Sequence, residues 1–177
     1  MNSSTERSAN KQKQTVFKQN LEYLREIKLF QGLDYECLKL LTMLSKQIDL
    51  IEGDKVMVQG EDDGCAYLLL NGNLKSSYRQ YDRLYQLSDH PPGQFLGGLA
   101  LLGPAIRLFT VYASEPSSVL RLKRDGFQKV MDQYPDSMVK VAANLAAVLR
   151  AKEQDLLNQI GDEERETANQ ALGVSLL

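Results

Sequence analysis

Between Asp49 and Lys123 the chain holds no sustained helical hydrophobic period. Short apolar runs are instead cut apart by "IEGD", "QGEDDG", "NGN", "SDHPPG" and "SEPSS". Glycine, proline, Asn and Asp at such regular intervals allow strands of only a few residues each, so this stretch must build a β sandwich or barrel. Asn71-Gly72 is a strong reversal signal, because both residues tolerate positive φ. It predicts a hairpin between "CAYLLL" and "LKSSYRQY", and "SEPS" predicts a second one between "LFTVYA" and "SVLRLK".

Helix brackets this region. Val16, Phe17, Leu21, Leu24 and Ile27 recur at helical spacing over Thr15–Ile27. Asp34 is placed to cap a second helix with an apolar stripe of Cys37, Leu38, Leu41, Leu44 and Ile48. After the strands, "RDGFQKVMDQYP" reads as one short helix stopped near Pro135. A longer helix follows, with Met138, Ala142, Leu145, Leu149 and Leu156 at 4-3-4-7 spacing. The expected organisation is a disordered polar tail over 1–14, a β domain with its helices over 15–134, a long helix over 135–160 and a tail over 161–177.

Composition narrows the function. With 43% hydrophobic and 25% charged residues in 177, one ordinary globular core is affordable. A formal net charge of −2 gives no footprint for nucleic acid or anionic membrane. The N-terminus lacks an apolar export segment, and no run approaches a membrane span of about 20 residues, so a cytoplasmic location is expected. Two cysteines, Cys37 and Cys65, fit a reducing compartment and are expected in the core. His90, the lone histidine, cannot make a metal site by itself. No nucleophile, base and oxyanion site come together, so no enzymatic activity is expected.

Helix, glycine-marked β-roll and two C-terminal helices form a layout that resembles the cyclic-nucleotide-binding domain family over about residues 20–150. "IEGDKVMVQGEDDGCAYLLLNGNLK" is similar to that family's opening strands, and "GQFLGGLALL" followed by "RLFTVYA" is similar to its phosphate-binding cassette. The resemblance implies an α+β fold: an antiparallel β-roll (a double-stranded β-helix, or jelly roll) of about eight strands, flanked by N- and C-terminal helices. It implies a ligand site at Gly97, Gly98, Leu99, Ala100, Arg107 and Leu108, with cyclic AMP, cyclic GMP or another small anion as ligand. Amides opening a short helix have no intrahelical partners, glycine lets a ligand approach closely, and a guanidinium keeps its charge at any physiological pH.

Two positions depart from the family pattern. Gly98 stands where the family places a glutamate that holds the ribose 2′-hydroxyl, and Leu108 stands where it has Ala or Ser. Weak binding of cyclic AMP is therefore expected, with Gly98→Glu restoring part of it. Two functions remain open at this point. One is a stand-alone regulatory sensor for a small anion or atypical nucleotide, acting through its C-terminal helices on a protein partner. The other is a ligand-free interaction module whose pocket Leu108 and Phe109 have closed, with Arg107 an ordinary strand arginine and the glycines a tight turn. The long helix predicts a homodimer, as in the catabolite-activator relatives. The roughly 17 residues after Ile160 are too few for a winged DNA-reading domain, so no DNA binding is expected.

Overall fold

A computed structural model describes the backbone of residues 3–159, with side chains from Lys11 onward except those of 156, 157 and 159. The elements run α1 (Ser3–Glu26), a 3-10 turn (Lys28–Phe30), α2 (Tyr35–Leu44), then β1 (Lys46–Leu50), β2 (Lys55–Met57), β3 (Cys65–Asn71), β4 (Leu74–Gln80), β5 (Arg83–His90) and β6 (Phe95–Leu96). They continue with α3 (Leu99–Leu102), β7 (Thr110–Ala113), β8 (Ser117–Lys123), α4 (Arg124–Gln133) and α5 (Pro135–Gln159). This is the expected α+β roll: two four-stranded antiparallel sheets, ordered β1-β8-β3-β6 and β2-β7-β4-β5, flanked by helices.

Both expected hairpins are corrected by the sheet topology. β3 pairs with β6 and β8, whereas β4 pairs with β5 and β7. "NGN" therefore carries the chain from one sheet to the other, and "SEPS" does the same between β7 and β8. Gly72 does adopt the positive φ that its sequence signals, at 80°. Its backbone also packs so closely on the β7–β8 turn that a Cβ would lie 2.2 Å from Ser117 Oγ. The local signal was read correctly; which strands meet is decided by burial on both faces.

The run "CAYLLL" illustrates that burial. Cys65, Tyr67 and Leu69 point into the space between the sheets, with Met57, Leu74, Val111 and Val119. Ala66 and Leu68 point the other way, into a larger core with Phe30, Leu38, Leu101, Leu120, Phe127 and Val141. A strand covered on both faces reads as a continuous apolar run because side chains alternate with period 2. Cys37 and Cys65 are buried, and burial raises both thiols above their ordinary pKa.

The helices differ from expectation in three places. α1 begins at Ser3, eleven residues before the expected end of the tail, and nothing between there and Glu26 is Gly or Pro. Asp34 occupies the N-cap of α2 but makes no side-chain cap bond; its carboxylate faces Lys140 Nζ at 3.4 Å. Leu44 is exposed and Ile48 lies in β1, so the stripe of α2 ends at Leu41 and Thr42.

α5 is the consequential case. Val141 is fully buried, Met138 and Leu145 pack against the same core, and Asn144 Nδ2 donates to the carbonyls of Leu29 (3.2 Å) and Gln31 (2.8 Å). Two of the five residues of the expected dimer stripe, Met138 and Leu145, are thus taken up within the protomer. Ala142 and Leu149 are exposed, the side chain of Leu156 lies outside the described residues, and so do Ile160 and the expected tail over 161–177. No described helix is long and apolar enough to cross a membrane.

Candidate anion-binding site

The stretch 93–109 lies where the two cores meet. Phe95 and Leu101 pack into the helix-side core, while Leu96 and Phe109 pack into the core between the sheets. Gly97 makes the turn at φ 75°, and Gly98 opens α3 from an ordinary helical conformation. Inside this short helix the amide of Ala100 donates to the Gly97 carbonyl at 3.0 Å, and that of Leu101 to Gly98 at 3.1 Å. Ala100, named from the sequence as a donor to ligand, is thus already bonded, and its side chain is buried. The Gly98 and Leu99 amides remain at the open end.

Arg107 is the centre of the site, and it does not stand in a strand. It precedes β7, with its amide on the Glu61 carbonyl (2.8 Å) and its own carbonyl accepting from Gly60 (2.9 Å). Only 7% of it is exposed. Nη2 donates to the carboxylate of Asp63 and to the carbonyl of Cys65. Nη1 lies against Gly97, where a Cβ would sit 2.6 Å away. Nε is buried without a hydrogen-bond partner among the described residues.

The loop before β3 supplies the counter-charges. Asp63 Oδ1 also accepts from the Cys65 amide (3.0 Å), and Oδ2 from the Tyr67 hydroxyl (3.2 Å). Burial foremost, with the neighbouring Cys65 and Asp63, raises the Tyr67 pKa, so its hydroxyl stays a donor. Asp62 pairs with Arg124, whose hydrogen bond holds the Asp62 carboxyl below its usual range. Arg124 Nε in turn donates to the Ala100 carbonyl. Two adjacent aspartates therefore hold two arginines, one at the candidate site and one at the start of α4. Sequence reading took "QGEDDG" only as a turn; its paired acids between glycines were the available signal.

Beside Arg107 lies a cavity of about 740 Å³, lined by Gly97, Gly98, Leu99, Arg107 and Leu108 together with residues of the helices. Of the six predicted residues, these five border it and Ala100 lies beneath. Leu108 is 75% exposed and forms part of the wall, and Phe109 is drawn partly into the inter-sheet core, so neither closes the space. Sequence reasoning missed the opposite wall: Leu145, Val148, Leu149 and Lys152 of α5, and Tyr23, Glu26, Lys28 and Leu29 below it.

The surroundings of Gly98 bear on the expected effect of a glutamate there. A Cβ there would meet Phe95 Cε1 at 3.0 Å and Leu29 Cδ2 at 3.2 Å. A side chain at 98 therefore requires small shifts of these two apolar neighbours, which Gly98→Glu must also make. His90, expected in a loop, is the buried last residue of β5, its Nδ1 2.7 Å from Gln94 Oε1. Among the described residues no group of three or more His, Cys, Asp or Glu side chains could hold a metal ion.

The glycine at 97 is the most sensitive of the pair. Gly97→Ala forces a side chain into left-handed backbone, costing roughly 1–2 kcal/mol, and pushes on the guanidinium as well. Gly98→Ala needs only a small shift of Phe95 and Leu29. Urea denaturation of both variants should show the first destabilised clearly more than the second.

Residues 48–134 match the family model described as the cyclic nucleotide-binding domain. The chain is 30% identical over 111 residues to the cAMP-dependent protein kinase regulatory subunit of Candida albicans, covering 62% of this chain and 23% of that protein. It spans about a quarter or less of the length of the curated relatives it matches. The catabolite activator protein of Thermus thermophilus is similar at 27% identity and a TM-score of 0.59, over 73% of this chain and 60% of that one. The regulatory domain of Toxoplasma gondii PKA, solved with cAMP, shares the fold at 19% identity and a TM-score of 0.58, over 72% and 49% of the two chains. Residues 48–134 of this chain belong to the cyclic nucleotide-binding domain family.

Proposed function

We propose that this chain is a regulatory sensor module that binds a small anion, a cyclic nucleotide or a related phosphate- or carboxylate-bearing ligand, beside Arg107. It performs no chemical step of its own. The observation that supports the reading is the cavity, whose lining includes both the buried Arg107 and residues of α5. Relatives described as a kinase regulatory subunit and as a cAMP-bound regulatory domain support the ligand class.

Two physical links would carry occupancy to the C-terminal helices. Phe30 is fully buried between Phe95 of the cassette (5.6 Å, edge-on) and Phe127 of α4 (6.2 Å, stacked). The second runs from Ala100 through Arg124 to Asp62. An anion drawing the Arg107 guanidinium away from Asp63 loosens the loop that also holds Arg124. α4 and α5 then shift, and a protein partner reads the change.

The ligand-free interaction module is the second reading, and one observation favours it: Asp63 and the Cys65 carbonyl already occupy Nη2 of Arg107. Calorimetry with cyclic AMP and cyclic GMP separates the two. The sensor reading expects weak, saturable binding that Asp63→Asn strengthens, because the competing carboxylate is gone, and that Arg107→Gln abolishes. No binding of any anion to wild type or Asp63→Asn favours the interaction module.

Dimerisation belongs to the same proposal, now through the outward face of α5. Val139 is 70% exposed, and exposed Ala143 and Ala146 continue the row at i+4 and i+7. Light scattering should give twice the monomer mass at tens of micromolar (a choice about tenfold above a micromolar Kd). Val139→Asp with Ala146→Asp should return it to the monomer, and a wild-type monomer would refute this interface.

A further inference from the structure

Resting on the sensor reading, we infer that the ligand of this cavity is an apolar monoanion, an acyl or aryl carboxylate, held by its head at Arg107 and by its body against α5. The lining itself makes the distinction from a nucleotide. Of the cavity's charged residues, Glu26, Lys28 and Lys152 are exposed at the rim, and only Arg107 is buried. Among the described residues, Tyr23 supplies the one uncharged polar side chain of the lining.

A nucleotide needs partners for its ribose hydroxyl and its base heteroatoms. Where the hydroxyl's carboxylate partner would stand, Gly98 is backed by Phe95 and Leu29. Each polar ligand group left without a partner weakens binding by roughly tenfold or more. An apolar body strands nothing there. The lining offers it Leu96, Leu108 and Phe109 of the β-roll and Leu145, Val148 and Leu149 of α5.

At the head, one anion suffices. Among the described lining residues Arg107 is the one buried charge, and its Nη2 is held by Asp63 and the Cys65 carbonyl. A carboxylate entering beside Gly97 competes with Asp63 for that guanidinium through a charge-assisted hydrogen bond. Within α5, the ligand body then touches the helix whose position is the output, which a bare phosphate could not reach.

Fluorescence titration of the full chain with 11-(dansylamino)undecanoate tests this, with its uncharged methyl ester as the matched control. The acid should bind at one site per chain and the ester at least tenfold more weakly. Octanoate, decanoate and dodecanoate should displace it progressively, each CH₂ tightening binding about fourfold until the cavity is filled; 2-naphthoate reports whether aryl bodies fit as well. Leu149→Glu, at an exposed position on the cavity wall, should weaken dodecanoate at least tenfold with the helical circular dichroism unchanged. Arg107→Gln should bring acid and ester to equal, weak binding, and if that variant does not fold, the acid–ester comparison on the native chain still decides. Equal binding of acid and ester, indifference to Leu149→Glu, or displacement by cyclic AMP or cyclic GMP more tightly than by any alkyl carboxylate overturns the inference. In the last case the sensor reading stands. If none of these anions binds, both fall.

Discussion

A guanidinium that is 93% buried cannot shed its charge, so the surrounding chain must be arranged to tolerate it. Here Arg107 is met by a carboxylate, Asp63, and a main-chain carbonyl, Cys65, both from the loop that leads into β3. The same charge dictates the residue facing it. Gly97 approaches Nη1 so closely that no Cβ fits, and its positive φ turns the chain into α3. Loop, turn and short helix are therefore one electrostatic unit. One donor of that unit, Nε, has no hydrogen-bond partner among the described residues, and Arg107 also lines the adjoining cavity.

Around this unit the fold divides its apolar side chains into two cores, one between the sheets and one beneath the helices. The cassette contributes to both: Phe95 and Leu101 to one, Leu96 and Phe109 to the other. A shift of a few tenths of an ångström at α3 must therefore be felt on both sides, because close-packed interiors do not absorb displacement smoothly. Phe30, burying a full aromatic ring worth roughly 2–3 kcal/mol, ties the cassette to α4. α5 closes the outer wall of the cavity. The helices are thus part of the candidate site itself, which gives a ligand a direct means of moving them.

Much of this was legible in the sequence wherever a residue's own conformational demand decides the outcome. Asn71-Gly72 announced positive φ at Gly72, Pro135 marked the junction of α4 and α5, and the turn spacing marked out the region of the strands. Pairing was not legible. Asn71-Gly72 demands a reversal, but whether the chain returns to the same sheet or crosses to the other depends on which faces are buried. "CAYLLL", apolar on both faces, gives no alternation to settle it. The partner of Arg107 was hidden for a related reason: Asp63 lies 44 positions away in a loop whose acids look like ordinary solvated turn residues. α5 misled in the opposite direction. Its stripe predicts a seam between two chains, yet two of its residues, Met138 and Leu145, pack on the protomer's own core, and Leu149 lies on the cavity wall.

The most direct test of the central claim observes the guanidinium itself. In ¹⁵N-labelled protein, the Nε–H resonance of Arg107, assigned by comparison with Arg107→Lys, can be followed during separate titrations with inorganic phosphate, cyclic AMP and dodecanoate. The expected result is a saturable shift of that resonance with at least one of the three. The Nε–H of Arg124, bonded to the Ala100 carbonyl and outside the cavity lining, should move far less. An Arg107 signal that stays fixed through all three titrations, in a protein that remains folded, would contradict an anion site at this position.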